Sequence, residues 1–195
     1  LLVPAFVFFF QKLYPFPRVN DPSRRTAAAA GGCMLARRQA LDHAGGLEAI
    51  RDRLIDDCAL AGLLKKHGPI WIGLTRRVRS LRPCDRLEEL WSTVARTAFA
   101  QIGHSWIVLF VTVLAMGVTY LVPPLAVLIG LVGGDPWAVA FGLVVWLMMA
   151  FAYRPTLGLY GRPVASAIVL PLAALMFTLM TIDSARRHLL GRGGA

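Results

Sequence analysis

The chain has 195 residues, of which 56% are hydrophobic, and a formal net charge of +10. Ordinary soluble domains are about 45–50% apolar, so this composition, with a mean hydropathy of +0.59, excludes a wholly soluble protein. The charge is also uneven: residues 1–104 hold 16 Lys and Arg against 9 Asp and Glu, while residues 105–195 hold 5 against 2. A basic part therefore precedes a nearly uncharged one. Its Arg and Lys are expected to meet anionic lipid headgroups and not nucleic acid.

In chain order, Leu1–Phe10 is very apolar but too short to span a bilayer, which predicts an interfacial or buried segment. Gly31, Gly32 and Cys33 form a small-residue turn, and the basic pair Arg37-Arg38 opens a short helix stopped by Gly45-Gly46. Asp56 and Asp57 open a second helix whose apolar positions include Leu60, Leu63 and Leu64. Lys65, Lys66 and His67 occupy its last turn before Gly68-Pro69. Ile70-Trp-Ile-Gly-Leu74 and Val78-Arg-Ser-Leu81 are short strand candidates.

Residues 85–104 predict an amphipathic helix. Asp85 and Glu88 make a capping-box-like start, and Leu87, Leu90, Trp91, Val94, Ala98 and Ile102 share one face. That face suits the headgroup plane of a membrane, or equally the surface of a packed domain. Beyond it lie three uncharged runs, Ser105–Gly134, Pro136–Tyr153 and Pro163–Ile182, of 30, 18 and 20 residues. Each reaches the length of about 18 residues that a crossing needs, so three transmembrane helices are the simplest count. Pro123-Pro124 predicts a kink or a stop near Val122 in the first run. Trp106, Tyr120, Trp137 and Tyr153 lie near predicted ends, where amphipathic rings are favoured.

Orientation has two solutions. With the basic part cytoplasmic and three full crossings, the tail with Arg186, Arg187 and Arg192 lies outside, against the positive-inside tendency. A re-entrant first run, turned at Pro123-Pro124, returns the tail to the cytoplasm.

Phe16–Asp21, the block from Ala30 to Gly46, Ile55–Leu60, Val78–Pro83 and Thr181–Arg187 together resemble family 2 glycosyltransferases. The subgroup most similar is the one associated with bacterial hopanoid biosynthesis. The resemblance implies an α/β fold, the C-terminal part of a GT-A-like catalytic domain over residues 1–84, with an interfacial helix at 85–104 and an α-helical transmembrane region over 105–195. It implies a multi-pass protein of the bacterial inner membrane whose catalytic part faces the cytoplasm. Such an enzyme moves a sugar from a nucleotide-sugar donor to a lipid acceptor, here a hopanoid or polyprenoid, with inversion. The family's (Glu/Asp)-Asp-x-x-Leu motif matches Asp56-Asp57-Cys-Ala-Leu60, which makes Asp57 the general base and Asp56 its support. On residue type alone, a pair of aspartates at a helix start is most often a cap.

Carried over in the same way, Gly31, Gly32 and Cys33 lie under the acceptor, where small side chains allow close approach. Processive members carry Gln-x-x-Arg-Trp; Thr93-Val-Ala-Arg96-Thr97 keeps only the arginine, which implies that Arg96 meets the donor diphosphate and that one or a few sugars are transferred. The family's Asp-x-Asp, which holds a divalent metal (Mg or Mn) and the donor, does not occur, and the chain begins at Leu1. The resemblance thus implies a C-terminal fragment with metal ligands elsewhere.

Cys33, Cys58 and Cys84 have no metal-ligand spacing and read as free thiols. A non-enzymatic membrane scaffold or assembly partner is the alternative. It accounts for the apolar half but leaves Asp56-Asp57 in register with Gly31–Gly46 unexplained. A small transporter is disfavoured because the three runs hold no ionisable group.

Overall fold

The computed structural model describes residues 2–78 and 86–191. Of the expectations above, the strand at 78–81 beyond its first residue, the Asp85 cap, Cys84 and Arg192 lie outside the described residues. Two compact units are formed, one by residues 9–83 and one by residues 1–8 with 84–195.

Every regular element among the described residues is helical, which corrects the expected α/β domain. The stretch expected as a first strand shows why. At Ile72 the N–H donates to Asn20 Oδ1 (2.7 Å) and the carbonyl accepts from Asn20 Nδ2 (3.0 Å), so a side-chain amide takes the place of a neighbouring strand. Trp71 does not alternate into a core either: it is 78% exposed and its indole lies over Gly73, in space that a Cβ would occupy. A strand requires a ladder, and this segment has none among the described residues.

The smaller unit holds the last part of α1 (Leu2–Leu13), from Phe9 on, and all of α2 (Phe16–Asn20), α3 (Arg38–His43) and α4 (Asp56–Lys65). Gly45 and Gly46, at φ +93° and +70°, end α3 in conformations that favour glycine. Val19, Ala28, Ala44, Ile50 and Ala61 are its buried apolar side chains among the described residues. Lys65 Nζ donates to the carbonyls of Val19 (2.6 Å) and Thr26 (2.7 Å), fastening the end of α4 to the segment that leads into the small-residue turn.

In the other unit, α5 (Leu87–Gln101) buries Leu90, Val94, Ala95 and Phe99. Its partner is α9 (Leu170–Leu189): Trp91 Nε1 donates to Asp183 Oδ2 (2.9 Å), and Ser184 Oγ accepts from the Phe99 amide (3.0 Å). Of the apolar face predicted for α5, Leu90 and Val94 are buried in this packing, whereas Leu87 stays exposed.

Three helical stretches are long and apolar enough to cross a membrane: Trp106–Gly133, Pro136–Leu159 and Val164–Leu189. The first consists of α6 (Trp106–Met116), a π-helical turn (Gly117–Leu121) and α7 (Val122–Gly133). The irregular turn falls just before Pro123-Pro124, where two missing amide donors and the proline rings break the regular bonding pattern.

A tight hairpin joins α7 to α8 (Pro136–Leu159). Gly134 closes α7 in the left-handed conformation, and Asp135 Oδ1 caps α8 by accepting from the amides of Trp137 (3.0 Å) and Ala138 (3.2 Å). The two helices meet at Gly142, where a Cβ would stand 2.7 Å from the Pro123 carbonyl, and at Gly130, where it would stand 2.9 Å from the Val139 amide. Trp106 and Trp137 are exposed at helix starts as expected, whereas Tyr120 and Tyr153 are buried.

Candidate functional site

The site builds from the N-terminus of α4. Asp56 and Asp57 occupy its first turn, where partial positive charge on free amides favours carboxylates. Asp56 is exposed and its Oδ1 accepts from the Asp57 amide (2.9 Å); Asp57 is half-buried and its Oδ1 accepts from the Cys58 amide (2.6 Å). Both carboxylates therefore satisfy backbone donors, the ordinary role of aspartate at a helix start. Asp57 does more, because its Oδ2 accepts from the Gly31 amide at 2.8 Å across 26 residues.

The turn itself is closed by a bond from the Cys33 amide to the Ala30 carbonyl (3.2 Å). It is pinned again by Cys58 Sγ, which donates to the carbonyl of Ala29 at 3.7 Å. Behind Cys58 stands Tyr14, whose phenol hydrogen-bonds the thiol; burial, followed by the thiol and the Asp57 charge, pushes that phenol up to about 12. Burial also pushes the Cys58 thiol above its ordinary range, with the Asp57 charge adding to it. Gly31, Gly32 and Cys33 are all exposed, and the space around Gly32 is open.

Asp57 and Gly31, two of the residues singled out from sequence, are thus in direct contact, with Asp56, Gly32 and Cys33 adjacent to them in the chain. Arg96 belongs to the other unit and is exposed on α5. What the arrangement supplies is a carboxylate held from two directions by backbone amides and still open to solvent, which suits acceptance of a proton from a bound hydroxyl. It does not fit a divalent metal: Asp56 and Asp57 are turned to amides, and among the described residues no group of three His, Cys, Asp or Glu side chains converges.

One cluster was given no role from sequence. Asp183, with only 11% of its side chain exposed, accepts from Trp91 Nε1, from Arg186 Nη2 (2.8 Å) and from Arg187 Nε (2.9 Å). An aspartate directly after an apolar run, with arginines at i+3 and i+4, was the available signal for it. The third donor comes from 92 residues away and could not be read locally.

A family model described as Glycosyl transferase family 21 matches residues 19–190, a span that includes the Gly31 turn, Asp56-Asp57 and Asp183. The family resemblance read from the motifs was to family 2, so the glycosyltransferase expectation stands with a different family number. No curated protein and no solved structure matches the chain.

Proposed function

From a chain that belongs to glycosyl transferase family 21, we propose a membrane-bound, inverting transfer of a sugar from a nucleotide-sugar donor to a lipid acceptor, with Asp57 as general base. The observation that carries the proposal is the bond from the Gly31 amide to Asp57 Oδ2. It locks the carboxylate in one rotamer at the lip of an exposed small-residue turn. An acceptor hydroxyl resting on Gly32 and Cys33 meets little steric hindrance, since nothing lies within 4 Å of a Cβ built at Gly32. As that oxygen attacks the anomeric carbon, its proton passes to Asp57 and the bond from that carbon to the nucleoside diphosphate breaks, the diphosphate leaving with the bonding electron pair.

Asp56 supports the base through the Asp57 amide. In this reading Arg96 pairs with the donor diphosphate as a planar, permanently charged donor, and its neighbours Thr93 and Thr97 spend their hydroxyls on their own helix, on the carbonyls of Glu89 and Thr93. A hopanoid or polyprenoid acceptor, and a catalytic part facing the cytoplasm of a bacterial inner membrane, belong to the same proposal.

The membrane arrangement that suits it has a re-entrant first run. Leu109, near the start of that run, packs in one cluster with Phe99 and with Ala185, near the end of the last helix. Three full crossings would set those two positions on opposite sides of the bilayer. A bend at the π-helical turn and Pro123-Pro124 accounts for their contact and keeps Arg186 and Arg187 on the positive side.

Asp57→Asn tests the catalytic reading. The amide keeps the size of the side chain but cannot take the proton, so transfer to lipid should fall by about 10²–10⁴-fold with donor binding nearly unchanged. Asp56→Asn should cost far less. Near-normal turnover in the Asp57 variant places the base elsewhere.

A further inference from the structure

We propose that the second unit carries a built-in site for one anionic phospholipid, at the end where α8 passes into α9. A cavity of about 140 Å³ opens there, lined by Leu2, Tyr153, Ser166, Leu170, Ala173 and Met176 among others. Apolar cavities of about this volume accept a benzene-sized ligand, which corresponds to a short stretch of one acyl chain.

Within this apolar lining Tyr153 stands out. Its ring is backed edge-on by Phe8 at 5.1 Å, it is only 2% exposed, and its hydroxyl has no hydrogen-bond partner. A buried hydroxyl without a partner is unfavourable, and within a bilayer water is not there to relieve it. Tyr153 lies six residues before the end of α8, close to the depth at which phospholipid ester carbonyls sit. Such a carbonyl accepts what Tyr153 has to give.

Charge supplies the rest of the argument. Arg154 follows Tyr153 directly, and Arg162 lies in the turn just before the 3-10 segment Val164–Val169, which contributes Ser166 to the cavity. Both arginines are exposed. Arg154 rests its guanidinium 5.6 Å from the Phe151 ring, at the same helix end. The chain in the cavity, the ester at Tyr153 and the phosphate at the arginines together describe one phospholipid with a negative headgroup. The site is independent of sugar transfer.

The test is native mass spectrometry of the chain released from nanodiscs of equal parts phosphatidylglycerol and phosphatidylcholine. One retained phospholipid is expected, with phosphatidylglycerol favoured by about fivefold per engaged arginine. Arg154→Gln with Arg162→Gln should abolish that preference and leave retention. Ala173→Trp should abolish retention, and Tyr153→Phe should reduce it severalfold with unchanged circular dichroism. If Ala173→Trp misfolds, Tyr153→Phe decides alone. Absence of a retained lipid, no headgroup preference in the unmodified chain, or retention unaffected by Tyr153→Phe overturns the proposal.

Discussion

The Gly31 amide donates to Asp57 Oδ2 at 2.8 Å, and a Cβ built on Gly31 would meet that same oxygen at 3.4 Å. The second distance is ordinary van der Waals contact, so what the turn requires at this position is the amide and not the missing side chain.

Gly31→Ala is therefore expected to retain fold and activity, and Gly31→Pro to lose activity. Proline removes the donor, and a hydrogen bond to a charged group contributes about 1.5–3 kcal/mol, so a rate loss on the order of 10- to 100-fold should follow. Steady-state kinetics of both variants, with melting curves as the fold control, make the comparison. Equal activity in the two variants would show that the amide does not matter to Asp57.

Gly142→Ala should destabilise the hairpin of α7 and α8. The added methyl would stand 2.7 Å from the Pro123 carbonyl and 3.0 Å from the Val127 amide, both backbone atoms that cannot rotate away. Overpacking of this kind costs about 1–3 kcal/mol. Gly133→Ala, a position with nothing within 4 Å, serves as the control. Thermal unfolding in detergent should separate the two, and matched midpoints would deny the close approach.

Alkaline pH should weaken the smaller unit. Folded Cys58 and Tyr14 have pKa values above their ordinary ones, Tyr14 at about 12, so the folded state holds those protons more tightly than the unfolded chain. Their contribution is complete below about pH 8.5, the ordinary thiol value. It is lost as pH rises through the thiol range and then through the tyrosine range toward 12. Because the thiolate is the reactive form, iodoacetamide at pH 8 should modify exposed Cys33 well before half-buried Cys58. A Cys58→Ala chain whose stability falls equally between pH 8 and pH 10 would remove the thiol from this account.

Reporter insertions should find residues 75, 134 and 190 on one side of the membrane and residue 161 on the other. The contact of Leu109 with Ala185 places the start of the first run beside the end of the last. Finding residues 75 and 190 on opposite sides would restore three full crossings.

Local signals in the sequence suffice for much of this molecule. Glycine stops, paired aspartates and long uncharged runs locate α3, α4 and the apolar helices, because caps, φ restrictions and hydrophobic length act over a few neighbouring residues. Segments that depend on distant partners are different. Ile70–Leu74 has the composition of a strand, yet its peptide groups go to Asn20, 52 residues away at Ile72. The apolar face of α5 fits a membrane surface, yet its Trp91 is bonded by Asp183 of α9, 92 residues away, and its Leu90 and Val94 are buried while Leu87 stays exposed. In the same way the sequence singles out Asp57 as a charged residue at a helix start, and one amide donated by Gly31 turns it from a cap into an oriented carboxylate. Hydrogen bonds across dozens of residues leave no periodic trace in the chain, so they become visible once the chain has folded.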